Sequence, residues 1–163
     1  AGRSNAGKSS ALNCLTKNKK LARTGKTPGR TTEINFFRVN DEIKLVDLPG
    51  YGFSKMSVDR KKNLNILLDK YFSTRKSLCA AIIFMDIRHP LKDSDIQMME
   101  FCKKYDVPFI SVLTKSDKLN SSAISKSARD VEEKLDSLSV IVTSAKNDEG
   151  FDKLAKKILE FLK

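Results

Sequence analysis

Gly2-Arg3-Ser4-Asn5-Ala6-Gly7-Lys8-Ser9 fits the pattern GxxxxGK[ST] at every fixed position. In such a loop the backbone N–H groups wrap the oxygens of a phosphate chain. The Lys ammonium reaches the terminal phosphates, and the Ser hydroxyl can ligate Mg2+. A helix expected from Ser9 to about Lys17 would point its positive end at the same anion, which makes Gly2 to Ser10 the candidate phosphate-binding stretch. A glycine-rich helix start of this kind also arises by chance. The rest of the chain must therefore supply a metal ligand and a partner for the base.

Asp47-Leu48-Pro49-Gly50-Tyr51-Gly52-Phe53 offers the first. Asp47 ends an apolar strand, where a carboxylate facing a phosphate loop can hold Mg2+, usually through its water. Gly50 has no side chain, so its backbone N–H can come close to a γ-phosphate. Thr114-Lys115-Ser116-Asp117 offers the second, directly after another apolar strand. A carboxylate at Asp117 can accept from N1–H and the exocyclic amine of guanine, and a base lacking that pair would leave the acid unpaired. The apolar stem of Lys115 can lie along the base. Thr143-Ser144-Ala145-Lys146 follows the last strand, and there a small residue lets a backbone N–H approach the base carbonyl. Each motif is weak alone. The four in this order point to a guanine nucleotide.

These residues need strand ends and helix starts to hold them. Glu33 to Val39, Glu42 to Val46, Leu78 to Met85, Val107 to Leu113 and Val140 to Val142 read as strands. Leu64, Leu67, Leu68, Tyr71 and Phe72 share one helical face, as do Ile96, Met99 and Cys102. Phe151, Leu154, Ala155, Ile158, Leu159 and Leu162 repeat the pattern after a turn at Asn147 to Gly150. Strands alternating with helices predict an α/β domain, its sheet mainly parallel with helices on both faces. Only Asn40 and Asp41 separate the first two strands, so one edge is expected to be antiparallel. Arg23 to Thr32, Gly52 to Ser57 and Lys118 to Ser127 read as surface loops. The order of motifs also calls for a strand before Gly2, and the sequence is expected to lack that first strand.

At 163 residues, 40% of them hydrophobic, one domain over 1–163 is the default. Cys14, Cys79 and Cys102 make neither a CxxC pair nor a disulfide framework, which fits reduced thiols in a cytoplasm. The longest apolar run, Leu78 to Met85, is far short of the roughly 20 residues a membrane helix needs. A net charge of +11 suits a polyanion partner, although 23 lysines against 8 arginines can also reflect genome composition rather than a binding face. No dense basic block with interleaved aromatics stands out.

Lys26-Thr27-Pro28-Gly29-Arg30-Thr31-Thr32 ahead of Ile34-Asn35-Phe36-Phe37, then Asp47 to Phe53, and Met85-Asp86-Ile87-Arg88-His89-Pro90-Leu91-Lys92-Asp93, resemble the EngB (YihA/YsxC) family of bacterial GTPases. The likeness covers nearly the whole chain. It implies a Ras-like P-loop GTPase domain that binds GTP and GDP with Mg2+, is cytoplasmic, and serves assembly of the large (50S) ribosomal subunit through its rRNA and proteins. No DNA, no membrane and no obligate dimer are expected. By this resemblance Gly29, Arg30 and Thr31 belong to the first switch, and Thr31 joins Ser9 and Asp47 around Mg2+. Spacing leaves the neighbouring Thr32 open. An order–disorder switch driven by the γ-phosphate is the functional reading of that loop, and a plain mobile connection is the other.

Ras-like enzymes place a Gln after DxxG to orient the attacking water. Tyr51 stands there instead, so intrinsic hydrolysis is expected to be slow and completed from outside. Related GTPases with Asn at the position of Asn5 and no such Gln bind K+ beside the phosphates. Asn5 can equally reflect a tight turn, which Asn favours. With Lys8, Thr31 and Gly50, Asn5 completes the expected catalytic set. His89, the single histidine, precedes Pro90 and reads as a turn residue. Asp117 argues against a P-loop kinase or ATPase. An RNA-binding module with structural nucleotide is the rival reading.

Overall fold

The computed structural model describes residues 1–18, 21–22, 33–52, 57–135 and 140–162. Among them, helix α1 (Lys8–Leu15) is followed by strands β1 (Asn35–Arg38) and β2 (Lys44–Asp47), then α2 (Val58–Thr74), β3 (Ala81–Asp86) and α3 (Asp93–Lys104). β4 (Phe109–Thr114), a 3-10 turn at Ser116–Lys118, α4 (Ser121–Leu135), β5 (Val140–Val142) and α5 (Phe151–Glu160) complete the order.

β3, β4 and β5 form a parallel sheet in that order, while β1 and β2 pair antiparallel. The segment before α1 lies between the two pairs, with Gly2 bridged to Phe84 and Arg3 to Tyr51, both parallel. The expected antiparallel edge is therefore present as a hairpin tied to the parallel sheet through the residues of the phosphate loop.

Period-two alternation decides which helices cover which face. Ile83 and Met85 of β3 and Leu113 of β4 meet Leu68 and Phe72 of α2, Met98 and Met99 of α3 and Val131 of α4. Phe84, Ile110, Val112 and Ile141 turn to the other face and meet Ala11 of α1 and Leu154 of α5. The first four strands start two or three residues later than the runs that announce them, Leu78 to Ala80 and Val107 to Pro108 leading into β3 and β4, and β5 starts where its run does.

The reading of Lys118 to Ser127 as a surface loop is corrected. Lys118 closes the 3-10 turn, and α4 starts at Ser121. Asn120 caps it, its Oδ1 accepting from Ala123 N–H at 2.9 Å. The serines at its start hide a stripe of Ile124, Ala128, Val131 and Leu135 at helical spacing, which packs on the core.

Candidate functional site

The chain gathers its polar motifs where the parallel strands end and α1 begins. Asn5 and Gly7 both take left-handed backbone, with φ of 65° and 87°, so the chain curls before the helix and gathers N–H groups into an anion-binding concavity. Gly7 is the residue type that adopts this conformation without strain. At Gly2 space is the reason, since a Cβ would stand 2.9 Å from the Phe84 carbonyl oxygen. The loop is anchored on several sides. Ser4 N–H donates to Tyr51 O at 3.0 Å, Thr114 Oγ1 to Ala6 O at 2.6 Å, and Lys115 Nζ to Asn5 O at 2.7 Å.

Lys8 at the start of α1 and Asp47 at the end of β2 meet as a buried ion pair, Nζ to Oδ1 at 2.5 Å. Both side chains are nearly inaccessible. This is the juncture where a phosphate oxygen could take the ammonium and a hard cation the carboxylate. Among the described residues no cluster of three His, Cys, Asp or Glu side chains forms a metal cage. The oxygen donors on offer, the Ser9 hydroxyl and the Asp47 carboxylate, suit Mg2+, which takes one or two protein ligands and completes its shell with water and phosphate. Leu48 is buried in the core, as is Tyr51, so Pro49 and Gly50 are carried on a turn pinned at both sides. Gly50 lies against Ser4, where a Cβ would sit 3.4 Å from its backbone N.

The second group forms around Asp117. Lys115 is again left-handed, with φ 63°, and turns the chain from β4 into the 3-10 turn. Ser144, fully buried, donates Oγ to Asp117 Oδ1 at 2.9 Å, and Lys118 Nζ lies 3.4 Å from Oδ2. Desolvation pushes the Asp117 carboxyl up, but the bonds from Ser144 and Lys118 prevail and hold it below the ordinary carboxylate value. It is thus an acceptor at neutral pH, with one oxygen fixed by Ser144. Ser116 N–H donates to Thr143 O at 3.2 Å, and Ser144 and Glu149 exchange backbone hydrogen bonds. A cavity of about 230 Å3 results, lined by Gly7, Ser10, Lys115, Asp117 and Ala145 among others. It joins the start of α1 to the base-reading motif.

The Arg3 side chain turns away from the loop. Its Nε donates to Asp95 Oδ2 at 3.1 Å and its Nη2 to His89 O at 2.8 Å, leaving Arg3 only its backbone for a phosphate. Asp95 also accepts from Lys92 N–H at 3.2 Å, capping α3. Asp95 lies 92 residues from Arg3, and nothing local in the sequence connects the two. His89 sits in the exposed turn after β3, its N–H donating to Asp86 O. Gly29, Arg30, Thr31 and Thr32 lie outside the described residues, as does Phe53.

A phosphate loop ahead of α1, an acid closing β2 and a Thr-Lys-Ser-Asp turn after β4, on a sheet covered on both faces, define a P-loop GTPase domain. The family model for 50S ribosome-binding GTPases matches residues 1–115. The chain is 50% identical over 162 residues to a protein of Mannheimia succiniciproducens named probable GTP-binding protein EngB, covering 97% of this chain and 79% of that one. A protein of the same name from Stenotrophomonas maltophilia is 48% identical over 157 residues, with 93% and 78% covered. The chain belongs to the EngB family of GTP-binding proteins.

Its fold is shared by a crystal structure of a probable GTP-binding protein EngB, at TM-score 0.79 and 24% identity over 98% of this chain and 95% of that one. It is shared too by Era in complex with MgGDPNP and nucleotides of 16S ribosomal RNA, at TM-score 0.76 and 21% identity over 98% and 54%. Among the described residues no helix is long and apolar enough to cross a membrane.

Proposed function

We propose that this chain is a single-domain guanine-nucleotide switch acting in assembly of the large ribosomal subunit in the bacterial cytoplasm. The observation that carries the reading is the convergence of Asn5, Lys115, Asp117 and Ser144 through hydrogen bonds onto one corner, next to the Lys8–Asp47 pair. Guanine would be read at Asp117, with Ala145 N–H at its carbonyl. The loop from Gly2 to Ser10 would bind the phosphates, and Ser9, Asp47 and Thr31 would hold Mg2+, which when bound neutralises phosphate charge. Gly50 and the Thr31 loop would report the γ-phosphate.

Charge and kinship support that partner. A net charge of +11 suits rRNA, the matching family model is described as ribosome-binding, and the fold neighbour Era was crystallised with ribosomal RNA. Co-sedimentation of the protein with purified large subunits, in GTP analogue, in GDP and without nucleotide at about physiological salt, tests this. Pelleting that depends on the analogue is expected. Equal pelleting in all three conditions would instead support an RNA-binding module in which nucleotide is structural.

Hydrolysis is proposed to be slow, because Tyr51, in place of the water-orienting Gln, is only 6% exposed and packs into the core. Asn5, exposed at the rim of the loop, would help to seat K+ as the missing positive charge. Phosphate release is expected to be faster in KCl than in NaCl, and equal rates would remove the cation from the mechanism.

A further inference from the structure

Met85-Asp86-Ile87-Arg88 closes β3, and its acid has no role in the functions assigned above. Asp86 is buried and stands opposite Thr114 in the β3–β4 register, so the parallel ladder fixes its backbone beside the start of the Lys115 turn. Four donors reach its carboxylate. Arg88 gives its backbone N–H at 3.1 Å and Nε at 2.9 Å to Oδ1, and Nη2 at 2.7 Å to Oδ2. Lys115 gives its ammonium to Oδ2 at 2.9 Å. Together these fill the roughly four lone-pair sites that a carboxylate offers. Burial works against the charge, but the bonds from Arg88 and Lys115 outweigh it and hold this carboxyl far below the ordinary range.

Lys115 receives the benefit. Its left-handed backbone is one a non-glycine residue keeps where its surroundings enforce it, and its ammonium spans from Asp86 to the Asn5 carbonyl oxygen. Lysine is a flexible stem bearing a point charge with three donors, so two fixed acceptors on opposite sides define where the stem runs. One acceptor belongs to the phosphate loop and the other to the sheet.

We propose that Asp86 is a positioning residue of the base corner: clamped by Arg88, it holds the Lys115 ammonium against the phosphate loop, so that the lysine stem is a preformed wall of the base pocket. This rests on the reading of that corner as a guanine site. Asp86 then acts on nucleotide binding only through Lys115. Because the stem meets the face of the base and Asp117 meets its edge, losing Asp86 weakens guanosine and inosine nucleotides by the same factor.

The test is the release rate of fluorescent GDP and IDP from the wild type, Asp86→Asn, Lys115→Ala, the double variant and Asp117→Asn. Asp86→Asn is expected to speed release of both nucleotides about tenfold, the order expected for a lost charge-assisted hydrogen bond. It is expected to add nothing in the Lys115→Ala background, where coupled residues depart fully from additivity. Additive effects, or unequal factors for the two nucleotides, would overturn the proposal. Arg88→Ala removes a partly exposed guanidinium and keeps the proposal open to refutation should Asp86→Asn not fold. A smaller acceleration is expected from it, absent once Lys115 is gone, and no acceleration or one independent of Lys115 counts against the clamp. Asp117→Asn separates the two levels. If it leaves the ratio of GDP to IDP release unchanged, the guanine reading of the corner fails; if it changes that ratio while Asp86→Asn is additive, only the positioning role fails.

Discussion

The corner around Asp117, proposed to read the base, and the side around Tyr51, beside the turn proposed to sense the γ-phosphate, are built to different standards of closure. At the corner each polar group is met: Thr114 by Ala6, Lys115 by Asn5 and Asp86, Asp117 by Ser144, and Asp86 by four donors. On the other side the buried Tyr51 hydroxyl interacts with the buried Asp95 carboxylate, but only loosely: neither the hydroxyl nor Asp95 Oδ1 has a partner at good hydrogen-bond geometry. Buried polar atoms in a native fold are nearly always paired, so a contact this loose is the weaker of the two closures. Under the proposed function the closed corner would read one base in every nucleotide state, and the looser side lies beside the turn that would move.

The largest test of that contrast bears on the ion pair joining the two sides. Lys8→Met strips the cation from a buried carboxylate and is expected to cost roughly 3–5 kcal/mol of stability in denaturant unfolding, whereas adding Asp47→Asn should recover most of the loss, as removing both partners often does. A cost confined to nucleotide binding would mean that water already reaches the pair.

The next test uses acid, because the two regions carry carboxylates shifted in opposite directions. Asp86 lies below its ordinary value. In the native state it binds a proton less readily than in the unfolded chain, so its contribution is complete above about pH 4 and is lost as pH falls toward its native value. Asp95 lies above its ordinary value, chiefly through burial, with Arg3 opposing. The native state then binds the proton more readily, so its stability falls as pH rises through the raised value. Unfolding midpoints across pH should show Asp86→Asn flattening the acid side below about pH 4 and Asp95→Asn flattening the slope above it. The reverse assignment would break the comparison.

The smallest effect is expected from Tyr51→Phe. It deletes a buried hydroxyl held only by the loose contact with Asp95, so stability should stay unchanged or rise by up to about 1 kcal/mol in thermal unfolding. A clear loss would show the hydroxyl bonded to Asp95, and the sensing side as closed as the corner.

Much of the site was legible in the chain because its parts are local. A glycine-rich loop before a helix, an acid after an apolar run, and Thr-Lys-Ser-Asp and Thr-Ser-Ala after two others state their conformation within a few residues. The alternation of strands and helices was equally plain. Helix α4 was missed because serines and a lysine at Ser121 to Ser127 masked a sparse apolar stripe that ends in Leu135. Asp86 and Arg88 stood out only as part of a family motif, since Lys115, the distant partner of the carboxylate, follows the end of the next strand.

The sequence by itself determined the motifs, their order, the family and the charge, because each depends on residue types at short separation. Only the tertiary structure decided that Asp86 meets Lys115, that Ser144 holds Asp117, and that Arg3 leaves the phosphate loop for Asp95, 92 residues away. Those contacts are set by the register of parallel strands and the seating of helices on them, and that register emerges only when the whole core packs.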